Sequence, residues 1–144
     1  MTYADSSFVV SIYRTSEGIS ERARRQIKQS PGPVFLSPLS LLEIRNAFNM
    51  AIGRGEIGEA EREAVIADIE RQIEAGFFRM ADVSQTDIYA KARELSDRHT
   101  PAMLTRSLDL MHVAVALLCK SRVFLSTDTR QRAAAQAEGL EVKP

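Results

Sequence analysis

Asp109 is the residue hardest to accommodate in this chain, because the helix that carries it belongs in a protein interior. In SLDLMHVAVALL, residues 107–118, Leu108, Leu110, Met111, Ala114, Val115, Leu117 and Leu118 surround the axis. A helix apolar nearly all round is a buried one. Its polar strip is narrow: at about 100° per residue, Arg106, Asp109, His112 and Lys120 fall within roughly a third of the circumference. A carboxylate on such a helix needs ion pairs, hydrogen bonds or a metal, since burying it alone is costly.

The same pattern recurs along the chain. Val123–Leu125 reads as a short strand, Asp128 follows it after Ser126 and Thr127, and a helix carrying Ala133–Ala137 begins there. At the N-terminus, Thr2–Ala4 precede Asp5, and Phe8, Val9, Ile12 and Tyr13 then recur at helical spacing. A second helix is predicted over Ser20–Gln29, ended by Pro31, Gly32 and Pro33. Val34–Leu36 forms the next strand, and Ser37-Pro38 opens a helix to about Ile52 that carries Glu43 in its first two turns. Glu59–Ala75 is an acidic helix, Phe77–Met80 a strand or extended connection, and Thr86–Arg98 a helix closed by Thr100 and Pro101. Leu140–Val142 makes a last strand after Gly139. Short strands alternating with helices imply parallel βαβ units. The expected architecture is α/β, one domain over residues 1–144.

Composition excludes several classes. With 144 residues, 44% of them hydrophobic and 26% charged, the chain has the make-up of a folded globular domain. The 19 basic and 19 acidic residues cancel, so no global field draws it to nucleic acid or an anionic membrane. Charge is instead local: residues 14–28 hold five basic and two acidic residues, and residues 56–74 hold seven acidic and two basic. A single cysteine, Cys119, permits no intramolecular disulfide and fits a reducing compartment. No run approaches the ~18 apolar residues of a membrane span, and the start lacks a basic segment followed by an apolar core. A cytoplasmic protein is expected.

Asp5, Glu43, Asp109 and Asp128 thus each stand at a strand-to-helix junction or near the opening of a helix. Each has a local explanation: Asp5 and Asp128 can cap the helices that follow, Ser40 and Glu43 have capping-box spacing, and Asp109 suits a positive helix N-terminus. Helix caps occur at either edge of a sheet, however. If the strands are parallel, these four share the carboxyl edge, where open α/β folds bind ligands. Four crowded carboxylates raise one another's pKa values unless a cation lies among them. All-oxygen ligation favours a hard ion, Mg²⁺ or Mn²⁺, over Zn²⁺. Such an ion suits phosphodiester hydrolysis by activated water.

The segments YADSSFVVSIY, SLLEIRNAF, SLDLMHVAVALL and FLSTDTRQRAAAQAEGLEV resemble the acidic motifs of PIN-domain nucleases, and the resemblance runs over essentially the whole chain. Its small size is most similar to the VapC-type toxins of bacterial and archaeal toxin–antitoxin modules. The resemblance implies a PIN-like three-layer α/β/α fold around a parallel sheet of four to five short strands. It also implies a metal-dependent endoribonuclease, frequent dimerisation, and inhibition by a small antitoxin whose tail enters the acidic groove. Carried over residue by residue, Asp5, Glu43, Asp109 and Asp128 match the metal-binding acids, with Ser6, Ser7 and Thr127 at supporting hydroxyl positions. Some relatives carry another acid shortly after the last aspartate; here Thr129 and Arg130 follow Asp128, which leaves one metal or two as an open alternative.

Other residues have paired readings. Arg22, Arg24, Arg25 and Lys28 can contact RNA phosphates or form a solvated helix face. Phe77 and Phe78 can stack on bases or face the core. His112, one turn from Asp109, reads as a hydrogen-bonded core residue and is not assigned as a general base. The leading expectation is therefore a toxin-like ribonuclease acting on single-stranded or loop RNA. The alternatives are an RNA-processing PIN nuclease outside a toxin module, and an inert RNA- or protein-binding module whose acids serve as caps. A receiver-like domain with a phosphate-accepting aspartate has little support, because Ser126, Thr127 and Asp128 occupy the late-strand position where a lysine is needed.

Overall fold

The computed structural model describes residues 1–14 and 17–144, with the side chains of residues 17–20 left aside. Five strands of three residues each form one sheet: β1 (Thr2–Ala4), β2 (Val34–Leu36), β3 (Phe78–Met80), β4 (Val123–Leu125) and β5 (Glu141–Lys143). Their spatial order is β3-β2-β1-β4-β5, and every neighbouring pair is parallel. The helices are α1 (Ser6–Tyr13), α2 (Glu17–Lys28), α3 (Pro38–Gly53), α4 (Glu59–Glu74), α5 (Gln85–Met103), α6 (Ser107–Leu118) and α7 (Thr129–Ala137). Among the described residues, no helix is long and apolar enough to cross a membrane.

The two-residue period of the strands divides the interior into two cores. Ala4, Val34, Leu36 and Leu125 face α1–α4, packing with Phe8, Val9, Ile44, Phe48 and Ile69. Tyr3 and Phe124, with Phe35 and Val142 beside them, face α5–α7, packing with Leu95, Leu110, Val113, Ala134 and Ala135. Tyr3 and Phe124 are register partners on β1 and β4, and their rings stack at 5.8 Å. This is a doubly wound three-layer fold, as expected.

Its topology determines where a site can lie. From β1 the chain winds through β2 to β3 on one side, then crosses by α5 and α6 to β4 on the other side of β1. The strand order reverses between β1 and β4, and the crevice outside their carboxyl ends is where such sheets bind ligands. Asp5 follows β1, and Ser126–Asp128 follow β4. The backbone N–H of Asp5 donates to Leu125 O at 3.0 Å, continuing the ladder to the edge of that crevice.

Several local expectations are corrected. Pro101 lies inside α5 rather than ending it; its missing donor removes one bond near the C-terminus, while Leu95 and His99 bury the helix against its neighbours. The helix stops at Leu104, in the left-handed region at φ 53°, whose N–H donates to Thr100 O. The cap of α3 is Ser37, reciprocated by Ser40, and not Ser40 with Glu43. Glu43 is thereby free for other partners. Leu108 is exposed rather than buried, being in the first turn of α6 where the helix emerges from the core. The last strand begins at Glu141, Leu140 packing into the core before it.

Phe124→Ala is expected to cost about 3–5 kcal/mol, because it empties a fully enclosed site between β1 and α6. Leu42→Ala, at an exposed position of α3, is expected to change stability by less than about 0.5 kcal/mol. Urea unfolding of both variants measures the contrast.

Candidate active site at the β1–β4 crevice

Asp5 occupies the deepest position. As N-cap of α1 it accepts Phe8 N–H on Oδ1 at 2.8 Å, and the Ser7 hydroxyl lies 2.9 Å from both oxygens. Ser126 Oγ donates to Oδ2 at 2.7 Å. The carboxylate has no solvent exposure. Burial pushes its pKa up, and the charge of His112 together with the bonds from Phe8, Ser126 and Ser7 only partly offsets this. Ser126 in turn accepts Asp128 N–H at 3.0 Å, and Ser7 Oγ accepts Thr127 N–H at 3.0 Å. Two serines therefore clip the loop after β4 onto the start of α1.

Glu43 reaches the crevice from α3. Ser6 Oγ donates to its Oε2 at 2.6 Å, and His112 Nε2 lies 2.6 Å from the same oxygen. Burial raises the Glu43 pKa, but the His112 and Ser6 bonds and the His112 charge outweigh it and leave it below the usual value. His112 is fully buried on α6, its Nδ1 2.7 Å from Tyr3 Oη. Both ring nitrogens are therefore in use, Nε2 toward Glu43 and Nδ1 toward Tyr3. Tyr3 Oη also lies 3.1 Å from Ser37 Oγ and 3.4 Å from Ser40 Oγ, and burial above all raises its pKa. A hydrogen-bonded chain thus runs from the cap of α3 through Tyr3 and His112 to Glu43.

Asp109 and Asp128 form the third group. Asp109, at the third position of α6, accepts the backbone N–H of Arg106 at 3.0 Å and the guanidinium in a fork, Nε to Oδ2 at 3.0 Å and Nη2 to Oδ1 at 3.1 Å. Gln131 Nε2 donates to Oδ1 at 3.3 Å. Asp128 caps α7 by accepting Arg130 and Gln131 N–H on Oδ1, while its Oδ2 lies 3.4 Å from Arg106 Nη2. One guanidinium therefore spans two carboxylates, and hydrogen bonding to Asp109 raises its already high pKa.

A groove of about 430 Å³ joins these groups, lined by Ser6, Ser7, Glu43, Arg106, Ser107, Leu108, Asp109, Asp128 and Gln131. The structure brings three of the four acids to its wall and puts Asp5 beneath it. Thr127 contributes through its backbone N–H. The basic set on α2 is not part of the lining: Arg24 Nε donates to Ile12 O, near the end of α1 remote from Asp5, and Arg25 pairs with Glu21. Phe78 is buried, and Phe77 packs against it edge-on. Ser126 and Gln131 are the participants that the sequence does not single out, whereas Arg106 shares the helical strip of Asp109. A serine two residues before a strand-end aspartate was the one visible signal.

Among the described residues, no three His, Cys, Asp or Glu side chains stand together as a group that could hold a metal ion. The donor chemistry nevertheless fits a hard divalent cation. The wall offers carboxylate and amide oxygens, the one histidine is engaged by Tyr3 and Glu43, and Asp109 and Asp128 already share a cationic group. Gln131 Oε1 is buried without a hydrogen-bond partner beside them.

The model of the PIN domain matches residues 2–137. No curated protein sequence matches. Among solved structures, the chain is similar to VapC20 of Mycobacterium tuberculosis, described as a Sarcin-Ricin loop cleaving toxin, with TM-score 0.73 and 20% identity over 100% of both chains. It is also similar to FitAcB of Neisseria gonorrhoeae, with TM-score 0.66 and 18% identity over 100% of this chain and 97% of that one. At these identities the likeness speaks to the fold alone. The family model, which spans nearly all of the sequence, goes further: this chain belongs to the PIN-domain family.

Proposed function

We propose that the protein is a metal-dependent endoribonuclease, the toxin of a type II toxin–antitoxin system, cutting RNA phosphodiester bonds with activated water. The observation that carries this reading is that Glu43, Asp109 and Asp128, from three separate elements, line one groove with Asp5 beneath it, at the crevice where the strand order reverses. Family membership and the description of VapC20 as a Sarcin-Ricin loop cleaving toxin support it.

Asp109, Asp128 and Glu43 would hold Mg²⁺ or Mn²⁺ at the groove wall, with Asp5 beneath. When bound, the ion supplies Lewis acidity toward phosphate oxygens and water. The chain's own groups supply the rest. Ser6 and His112 hold Glu43 ionised and oriented; Ser7 and Ser126 keep Asp5 in place; the Asp128 cap fixes the loop after β4. Exposed Leu42, Leu104 and Leu108, the last on the groove wall, offer apolar surface for a small protein antitoxin or a second copy of the chain.

One observation favours a different reading, an inert PIN module that binds RNA or protein. Asp5 and Asp128 both cap helices, and Arg106 neutralises the groove without a metal. Stability separates the two readings. The folded Asp5 carboxyl keeps its proton more tightly than the unfolded one, so its charge costs stability above pH ~4 and nothing well below it. Asn keeps the capping oxygen. Asp5→Asn is therefore expected to abolish cleavage while raising Tm at pH 7, with the gain vanishing near pH 3 in thermal melts. A lowered Tm with undiminished cleavage would mark Asp5 as a cap. In a second measurement, Mn²⁺ at about 100 times its Kd is expected to stabilise the wild-type chain by about 2.7 kcal/mol. EDTA is expected to remove both that gain and RNA cleavage; an unchanged melt with Mn²⁺ favours the inert module.

A further inference from the structure

Among the described residues that line the groove, Arg106 is the one cation, and it is held by ion pairs while remaining largely exposed. The guanidinium engages Asp109 through two nitrogens and reaches Asp128 with Nη2. Its side chain is nevertheless 62% exposed, against 3% for Asp109 and 26% for Asp128. The carboxylates are thus built into the protein, whereas the arginine lies over them from the solvent side. Asp109 does not depend on the guanidinium for its orientation: Arg106 N–H and Gln131 Nε2 hold it as well. Asp128 is likewise held by the two N–H groups of α7. Removing the side chain leaves both acids pointing into the groove. Beside them Gln131 Oε1, buried and unpaired, is an acceptor that the arginine arrangement leaves unserved.

We propose that Arg106 is a displaceable counter-cation: it neutralises Asp109 and Asp128 until a divalent ion takes its place, and it then turns outward to bind a phosphate of the RNA. The proposal rests on the metal-dependent nuclease reading and adds an internal competitor to it. The fork onto Asp109 is well made, but the guanidinium itself is 62% exposed and keeps much of its hydration, so a doubly charged ion at the same carboxylates competes with it. Once released, the guanidinium is repelled by the ion and finds at the groove mouth the planar, bidentate partner it prefers, a phosphate group. The same side chain thereby opposes metal binding and assists substrate binding, two effects of opposite sign.

The test is isothermal titration of Mn²⁺ into the wild-type, Arg106→Gln and Arg106→Lys proteins, with thermal melts to show each folded and RNA cleavage at saturating Mn²⁺. Arg106→Gln is expected to bind Mn²⁺ about three- to tenfold more tightly and to lose about tenfold in kcat/KM for RNA. Arg106→Lys, which keeps the charge, is expected to return both values toward wild type. Equal Mn²⁺ affinity in folded wild-type and Arg106→Gln proteins that both cleave RNA overturns the role of Arg106 and leaves the nuclease reading standing. Absence of Mn²⁺ binding by all three proteins overturns both.

Discussion

The crevice depends on a carboxylate that the fold has no energetic reason to bury. Asp5 sits at the end of the central strand, sealed from solvent, and the elements around it are arranged to make that tolerable. β1 delivers it, α1 offers the Phe8 N–H of its first turn, and the loop after β4 supplies Ser126. A buried charge whose hydrogen bonds are satisfied still pays for lost hydration. That residual penalty is what sets Asp5 apart from an ordinary cap such as Ser37, whose neutral hydroxyl does the same local work for α3 without it. Strain of this kind is characteristic of sites retained for function rather than stability.

The remaining acids are managed by different means. Glu43 is tied through His112 to Tyr3, so that a surface-facing carboxylate is oriented by a chain anchored in the core. Asp109 and Asp128 belong to separate helices and are coupled by one exposed arginine. The chain has no net charge, yet three carboxylates and a single guanidinium line the groove where the strand order reverses. Fixed backbone donors at three helix starts hold these oxygens, so the groove is pre-organised before any ligand arrives.

Much of this was legible in the sequence because it is encoded locally. Short strands followed within three residues by an acid and then a helical period mark β1 and β4 together with Asp5 and Asp128. The run from Val113 to Ala116 announces a buried helix, and that alone makes Asp109 conspicuous. What stayed hidden depends on tertiary placement. Ser126 is an ordinary strand-end serine until the sheet brings it 2.7 Å from a residue 121 positions away. Gln131 reads as a helix-terminal polar residue, and nothing local says that it reaches the same aspartate as Arg106. Pro101 read as a stop because its effect on hydrogen bonding is local, whereas the packing of Leu95 and His99 that carries α5 past it is not. The basic face of α2 was visible as charge but not as position, since a helix's place around a sheet follows from connections rather than composition.

The central claim is that these carboxylates exist to hold a divalent ion at the crevice outside β1 and β4. Crystals grown with Mn²⁺ and measured at the manganese absorption edge test it most directly. A strong anomalous peak is expected in the groove, within ligating distance of Asp109 or Asp128. Crystals saturated with Mn²⁺ that show no peak there, with both aspartates still bonded to Arg106, would contradict it.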